Sequence, residues 1–246
     1  MIVKTRYVDL QQDDVTTRCF LVEPVTSAPT PGIVFYSDIF QLSGSMLRAC
    51  VRLAGHGFTV LAPEIYSRTE PLGSVIPFDD AGRTRGLDNA ARTPVAHFDA
   101  DARAALAFLA QQPGVDPARL GAAGFCLGGH LALRAALQPE VKATTCFYAT
   151  GVHNGRLGAD ADAGTLQRLG EIGGQLLLVW GEQDPHIPPE ARALIESSLG
   201  QAGVAFQRRS YQAEHAFMRD EGPRHDPEAS DLAWAEAIAF FRKALG

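Results

Sequence analysis

The sequence has few cysteines, and they are not spaced as metal ligands or as a redox pair. Cys19, Cys50, Cys126 and Cys146 form no C-x-x-C unit, and no histidine near them completes a zinc pattern. We therefore expect no metal and no organic cofactor. Reduced, unpaired thiols favour a cytoplasmic location.

Long apolar segments and basic runs are also missing. The start, Met1 to Asp14, lacks the apolar core of a signal peptide. The most apolar stretch, Leu120 to Leu137, contains His130, Arg134 and four glycines, which excludes a membrane span. The 22 basic residues face 28 acidic ones, a net charge of −6, which argues against nucleic acid or an anionic membrane as partner.

What remains is the composition of an ordinary globular protein. The 246 residues are 46% hydrophobic and 20% charged, with no internal repeat. We predict one domain over residues 1–246, since the segments form a continuous β–α series. Such a series implies an α/β fold with a mostly parallel sheet of about eight strands and helices on both faces.

The segments follow from hydrophobic periodicity and from capping residues. The predicted strands are Ile2 to Asp9 and Thr17 to Val22 (a hairpin around the polar residues 11–14), Gly32 to Tyr36, Phe58 to Ala62, Arg119 to Gly124, Ala143 to Ala149, Gln175 to Trp180 and Val204 to Ser210. The predicted helices are Ser43 (as N-cap) to Ala54, Pro94 to Gln112, Leu127 to Gln138, a short one at Thr165 to Leu169, Pro189 to Leu199 and Pro227 to Leu245. Pro63 to Thr93 shows no periodicity and is predicted to be a long loop, such as a lid or binding loop.

The stretch Gly124-Phe125-Cys126-Leu127-Gly128 lies where a predicted strand meets a predicted helix. It matches the nucleophile elbow G-x-S-x-G with cysteine in place of serine. The glycines let strand and helix approach each other at a strained turn, and the helix N-terminus favours a thiolate. The alternative is a buried structural cysteine in a glycine-rich turn; a dinucleotide fingerprint is absent.

Two later residues favour the catalytic interpretation. Asp184 and His215 each follow the C-terminal end of a predicted strand, and parallel strands place such loops at one sheet edge with the elbow. Cys126, Asp184 and His215 also stand in the nucleophile–acid–base order of α/β-hydrolases. Taken singly, Asp184 could be a turn residue and His215 a surface histidine.

Over nearly its whole length the sequence resembles the dienelactone hydrolase family of α/β-hydrolases. The resemblance implies that Cys126 attacks a lactone or ester carbonyl, that His215 handles the proton and that Asp184 orients His215. It also implies an oxyanion hole made by the backbone N–H groups of Ile39 and Leu127. The matching stretches are Ser37-Asp38-Ile39-Phe40, Ala62-Pro63-Glu64-Ile65-Tyr66, Gly124-Phe125-Cys126-Leu127-Gly128-Gly129, Trp180-Gly181-Glu182-Gln183-Asp184 and His215-Ala216-Phe217.

The resemblance suggests further residues around the substrate. Asp38 stands where the family usually has a glutamate that holds the resting thiol and helps to activate it, and aspartate is one methylene shorter. Arg219 matches an arginine that clamps a substrate carboxylate, and either Arg83 or Arg85 supplies a second one. Tyr148 matches a tyrosine that faces the pocket. The alternatives are solvated arginines, a helix-capping Asp38 and a tyrosine that merely belongs to the core.

The resemblance thus predicts a cysteine-dependent hydrolase of small lactones or carboxylic esters, a monomer or homodimer whose substrate is anionic if the arginines bind it. An esterase or thioesterase acting on neutral small esters is the second possibility. The hypothesis from another class is a non-catalytic thiol sensor or ligand-binding protein on the same fold.

Overall fold

A computed structural model describes residues 1–12 and 14–246 and places eight strands in one sheet with the order β1-β2-β4-β3-β5-β6-β7-β8. β2 pairs antiparallel with β1 and with β4, and the other neighbours pair in parallel. The strands are β1 (Val3–Gln12), β2 (Val15–Pro24), β3 (Thr30–Tyr36), β4 (Thr59–Pro63), β5 (Val115–Phe125), β6 (Val141–Phe147), β7 (Gln175–Gly181) and β8 (Phe206–Tyr211).

The burial of each strand follows its place in the sheet. Every residue of β3 and β4 is buried, as expected for central parallel strands covered on both faces. β1 and β2 form the predicted hairpin at the sheet edge, where β1 is largely exposed. Asp13, part of the predicted hairpin turn, lies outside the described residues.

Six α-helices are seen in the described part of the chain, and they cover both faces of the sheet. α3 and α4 pack on each other and over β3 and β5, whereas α6 covers β5 to β7 from the other face and contacts α1 through Arg52 and Trp234. No helix among the described residues is long and apolar enough to cross a membrane. The helices are α1 (Gly44–Ala54), α2 (Asp80–Arg92), α3 (Val95–Ala110), α4 (Leu127–Ala135), α5 (Pro189–Gln201) and α6 (Pro227–Leu245), with a 3₁₀ turn at Leu166–Glu171.

The prediction of one long loop from Pro63 to Thr93 is wrong, because α2 occupies Asp80–Arg92. The side chain of Asp79 caps it by accepting a hydrogen bond from Gly82 N–H at 2.7 Å. The buried face of α2 consists of small or polar residues, Gly82, Gly86, Asn89 and Ala90, rather than large apolar ones. A helix whose buried face lacks large apolar residues shows no apolar periodicity in the sequence, so it was not predicted.

Candidate active site

Cys126 lies between the end of β5 and the start of α4, in a sharp turn that gives its backbone a positive φ angle. Its φ of 57° and ψ of −117° are unfavourable for a side-chain-bearing residue. The neighbouring glycines make the turn possible. A Cβ on Gly124 would overlap the Gly128 carbonyl, and one on Gly128 would overlap the carbonyl oxygens of Tyr36 and Ser37. The strand–elbow–helix geometry expected from the sequence is therefore present.

His215 and Asp184 meet beside this turn. Asp184 follows β7 and His215 follows β8, so the parallel sheet delivers both loops to the edge where β5 ends. Asp184 Oδ2 lies 2.6 Å from His215 Nδ1, and both residues are buried. The other carboxylate oxygen, Oδ1, accepts a hydrogen bond from the His186 backbone N–H at 2.8 Å. Asp184 is thus fixed as an acceptor for the imidazole.

The imidazole of His215 is held in its charged form. Burial alone would lower its pKa, but the Cys126 sulfur and the Asp184 carboxylate outweigh burial and raise the pKa of His215 to about 10. Asp184 also accepts a hydrogen bond from the ring. The surroundings of the ring therefore favour its protonated form.

Among the four cysteines, Cys126 alone is partly exposed; Cys19, Cys50 and Cys146 are buried. Burial raises the pKa of the thiols of Cys19 and Cys50 far above the usual range and that of Cys146 to about 12, which makes these three poor nucleophiles. Thr150 lies beside the exposed thiol, with its Oγ1 3.8 Å from Cys126 Sγ and its N–H donating to the Cys126 carbonyl at 3.2 Å.

The two predicted oxyanion donors belong to different segments that both line the cavity in front of Cys126. Leu127 is the first residue of α4, where backbone N–H groups have no partner inside the helix. Ile39 belongs to the loop after β3 and, like Leu127, lines the cavity in front of Cys126. α2 supports this loop, since Gly86 packs directly against the Ile39 carbonyl and its own carbonyl accepts a hydrogen bond from Tyr66 at 3.0 Å.

Asp38 forms its contacts with Arg219 rather than with sulfur. Its Oδ2 accepts two hydrogen bonds from the Arg219 guanidinium, one from Nε at 3.0 Å and one from Nη2. Its Oδ1 accepts from the Phe40 N–H at 2.9 Å, and no hydrogen bond joins Asp38 to Cys126 within the described chain. The guanidinium also lies 4.8 Å from the ring centre of Phe40 and 4.6 Å from that of Phe78, so it is clamped on several sides.

A cavity of about 690 Å³ opens in front of Cys126 and His215. Residues of α2 and of the segment after β6, residues 150–160, form part of its wall. This size is typical of pockets that enclose small organic ligands. The apolar lining residues are Ile39, Phe40, Phe78, Leu87, Ala90, Ala91, Leu127, Leu157, Ala216 and Pro223.

The structure separates the two arginines between which the sequence could not choose. Arg83 lines the cavity, whereas Arg85 is not part of its lining and pairs with Glu70 through Nε at 2.7 Å. Tyr148 is fully buried behind the elbow and packs edge-on against the His215 ring, with ring centres 5.2 Å apart. It reaches Arg219 and Asp38 through a small void rather than lining the main cavity.

Several residues of the cavity were not singled out by the sequence. His186 packs edge-on against His215 with ring centres 4.7 Å apart, and its position two residues after Asp184 was the available signal. Arg156 and Thr150 lie in the polar segment after β6, which carries no periodic pattern. Because such a segment has no periodic pattern, the sequence does not show which of its polar residues face the cavity.

The comparisons with known proteins now decide the family. Residues 17–245 match the dienelactone hydrolase family. The chain belongs to the dienelactone hydrolase family. A Saccharomyces cerevisiae protein provisionally named a carboxymethylenebutenolidase is 35% identical over 231 residues, covering 90% of this chain and 84% of that protein. The carboxymethylenebutenolidase of Pseudomonas sp. (strain P51) is 28% identical over 213 residues, covering 87% of this chain and 84% of that enzyme. The protein is therefore a hydrolase that acts on lactone or ester bonds of small molecules.

Solved structures agree on the α/β-hydrolase fold. A protein from Klebsiella pneumoniae subsp. pneumoniae, provisionally named a dienelactone hydrolase, superposes with a TM-score of 0.87 over 99% of this chain and 100% of its own, at 22% identity. A Pyrobaculum calidifontis esterase gives a TM-score of 0.69 at 18% identity, covering 99% of this chain and 86% of the esterase chain. The predicted fold class is thus confirmed.

Proposed function

We propose that this hydrolase opens small lactones or carboxylic esters through a Cys126–His215–Asp184 triad and an acyl-enzyme intermediate. One observation carries the proposal: His215 Nδ1 lies 2.6 Å from Asp184 Oδ2, and His215 lines the same cavity as Cys126 at the sheet edge where the elbow stands. In the proposed mechanism the reacting form is a Cys126 thiolate beside a protonated His215, and the raised pKa of His215, about 10, supports the protonated ring.

Acylation begins when a sulfur lone pair of Cys126 forms a bond to the carbonyl carbon and the carbonyl π electrons move to oxygen. The oxyanion accepts hydrogen bonds from the backbone N–H groups of Ile39 and Leu127. Collapse of this intermediate breaks the carbon–oxygen bond, and the departing alkoxide takes the proton from His215. In a lactone the new hydroxyl group stays attached to the acyl chain.

Deacylation consumes one water molecule. His215, now neutral, accepts a proton from water while the water oxygen bonds to the thioester carbon. The carbon–sulfur bond then breaks, which releases the carboxylic acid and restores the thiolate beside a protonated His215. Asp184 accepts the Nδ1–H throughout and keeps Nε2 directed at the reacting atoms.

For the substrate, we propose Arg219 and Arg83 as the groups that meet a carboxylate, with Asp38 and Tyr148 holding Arg219 and His215 in place. Arg83 lines the cavity with an unpaired guanidinium, whereas Arg219 must exchange Asp38 for the substrate anion. The pairing of Arg219 with Asp38 also favours a second candidate, a neutral ester or thioester, since a neutral substrate leaves this ion pair undisturbed.

Mass spectrometry of the acid-quenched enzyme tests the mechanism. Mixing with an activated ester should add one acyl group to the peptide that contains Cys126, and the addition should disappear as the ester is consumed. The Cys126→Ala variant should show neither acylation nor turnover. Acylation at another residue, or turnover by Cys126→Ala, would contradict the triad.

A further inference from the structure

The hydroxyl group of Thr150 lies beside the sulfur of Cys126, and the proposed mechanism does not use it. Its Oγ1 is 3.8 Å from Cys126 Sγ, and within the described chain it has no other hydrogen-bond partner. Thr150 is half-buried and lines the cavity, three residues after the end of β6. A neutral thiol is only a weak donor and acceptor, so the strength of this contact depends on the charge of the sulfur.

The backbone of Thr150 is held on both sides by the segment that carries Cys126. Its N–H donates to the Cys126 carbonyl at 3.2 Å, and its carbonyl oxygen lies 3.0 Å from His130 Nδ1. His130 is on α4, four residues after Cys126, and is fully buried. The helix that begins at the elbow therefore also fixes the residue whose hydroxyl lies beside the sulfur.

The donors and acceptors around His130 have only one consistent arrangement. Nδ1 must donate, because the Thr150 carbonyl can only accept. Burial, and after it the nearby Arg134, lowers the pKa of His130 to about 3, so the ring is neutral and Nε2 carries no hydrogen. Nε2 must then accept from the Thr165 hydroxyl, at 2.8 Å. Thr165 Oγ1 accepts in turn from Arg134 Nη1 at 2.9 Å.

This chain of hydrogen bonds starts at an ion pair in the core. Arg134 is only 4% exposed, and its guanidinium donates to both carboxylate oxygens of Asp99 on α3, at 2.7 and 2.6 Å. The same side chain donates to the Ala163 carbonyl at 2.8 Å. Buried polar groups without partners are costly, so each member of the chain resists rotation. Thr150 is thus oriented by the folded core and does not depend on a bound substrate.

From this placement we infer that Thr150 is a further catalytic residue, whose hydroxyl donates a hydrogen bond to the ionised sulfur of Cys126, and that His130 is a positioning residue that holds Thr150 there. A thiolate accepts a charge-assisted hydrogen bond, which is stronger than any contact with the neutral thiol, so the hydroxyl favours the charged form. The inference rests on the proposed role of Cys126 as nucleophile, and it adds a second stabilising group beside His215.

The test measures the rate at which iodoacetamide alkylates Cys126 as a function of pH, with mass spectrometry to identify the modified peptide. Thr150→Val keeps the branched shape and removes the hydroxyl, so the midpoint of the profile should rise by about one pH unit. Thr150→Ser restores the hydroxyl and should restore the wild-type midpoint. Thr144→Val, the matched control, removes a buried β6 hydroxyl that has no partner within the described chain, and should leave the midpoint unchanged. Equal midpoints in Thr150→Val and wild type would overturn the inference.

A double-mutant cycle tests the positioning role of His130. His130→Leu should raise the midpoint in wild type but not further in Thr150→Val, because both changes remove the same contact. His130→Asn keeps an amide N–H near the position of Nδ1 and should largely restore the wild-type midpoint. If thermal unfolding shows that His130→Leu does not fold, His130→Gln, whose amide reaches towards Thr165 instead, replaces it. Shifts that add in the double variant would show that His130 does not act through Thr150.

The alkylation profile is independent of turnover, so it separates this inference from the proposed function. If Cys126→Ala hydrolyses esters as well as wild type does, the proposed function fails, while the midpoints still decide whether Thr150 donates to the sulfur. The other titratable groups that act on the Cys126 charge belong to other segments and are the same in all these variants. They are His215 and Arg219 with their partners Asp184 and Asp38, together with Tyr66 and Tyr148.

Discussion

Arg219 donates two hydrogen bonds to one oxygen of Asp38 while its guanidinium lies against the rings of both Phe40 and Phe78. Asp38 is thereby engaged on both oxygens, by Arg219 and by the Phe40 N–H. Asp38 therefore makes no hydrogen bond to Cys126 within the described chain, and we predict that His215 rather than Asp38 controls the reactivity of this thiol in the free enzyme.

The reactivity of the free enzyme tests this arrangement. Iodoacetamide should alkylate Cys126 rapidly at neutral pH in the absence of ligand, because Asp38 is held by Arg219 and a cationic imidazole beside a cysteine promotes its alkylation. A small carboxylate should not accelerate the reaction. In His215→Ala the rate at neutral pH should fall and recover only at higher pH. Slow alkylation of wild type that a carboxylate accelerates would instead show that Asp38 holds a dormant thiol.

Replacement of the nucleophile should separate chemistry from folding. Cys126→Ala should lower kcat by about 10³-fold or more, since the covalent step is lost. Cys126→Gly should be equally inactive yet more stable than Cys126→Ala by about 1 kcal/mol, because glycine tolerates the φ of 57°. Cys50→Ala, at a fully buried thiol in α1, is the control and should retain activity. Thermal unfolding and ester hydrolysis measure both effects.

The raised pKa of His215 should make the stability of the fold depend on pH. Its pKa is raised from 6.5 to about 10, so folding is stabilised by this group below pH 6.5, and that contribution is lost as the pH rises towards 10. Removing the sulfur charge in Cys126→Ala leaves burial opposed by Asp184 alone, so the pKa of His215 should fall. An NMR titration of the imidazole would show it. An unchanged pKa in Cys126→Ala would mean that the sulfur does not hold the proton on the ring.

A glycine in α2 should control the loop that carries Ile39. In Gly86→Ala the new methyl group meets the Ile39 carbonyl and must displace α2 or the loop, which should cost about 1–3 kcal/mol and lower kcat. Gly200→Ala, in α5 with open space around it, is the matched control and should be neutral or slightly stabilising. If both variants behave alike in unfolding and in hydrolysis, the contact at Gly86 does not constrain the loop.

The sequence predicts the elbow well because its demands are local. Gly124 and Gly128 are needed because neighbouring backbone atoms leave no room for a side chain. The buried apolar runs identify the parallel strands, and Asp184 and His215 follow the ends of two of them at the same sheet edge. The predicted N-cap at Ser43 is confirmed as well, since its side chain accepts the Met46 N–H. These features depend on residue type and spacing, which the sequence displays directly.

The cavity walls were less predictable because their signals are weak or non-local. With α2 unrecognised, Arg83 and Arg85 could not be told apart; on a helix they point about 200° from one another, so only one can face the cavity. The pairing of Asp38 with Arg219 joins residues 181 positions apart in the chain, which no local pattern encodes.

α2 is attached mainly to loops: Tyr66 and Glu70 hold it from the segment after β4, and Gly86 rests on the loop after β3. The candidate reacting groups follow strand ends, whereas much of the cavity wall comes from α2 and residues 150–160, which lie outside the sheet. We therefore expect that exchanging these two segments would reshape the cavity and leave the sheet and the triad geometry in place.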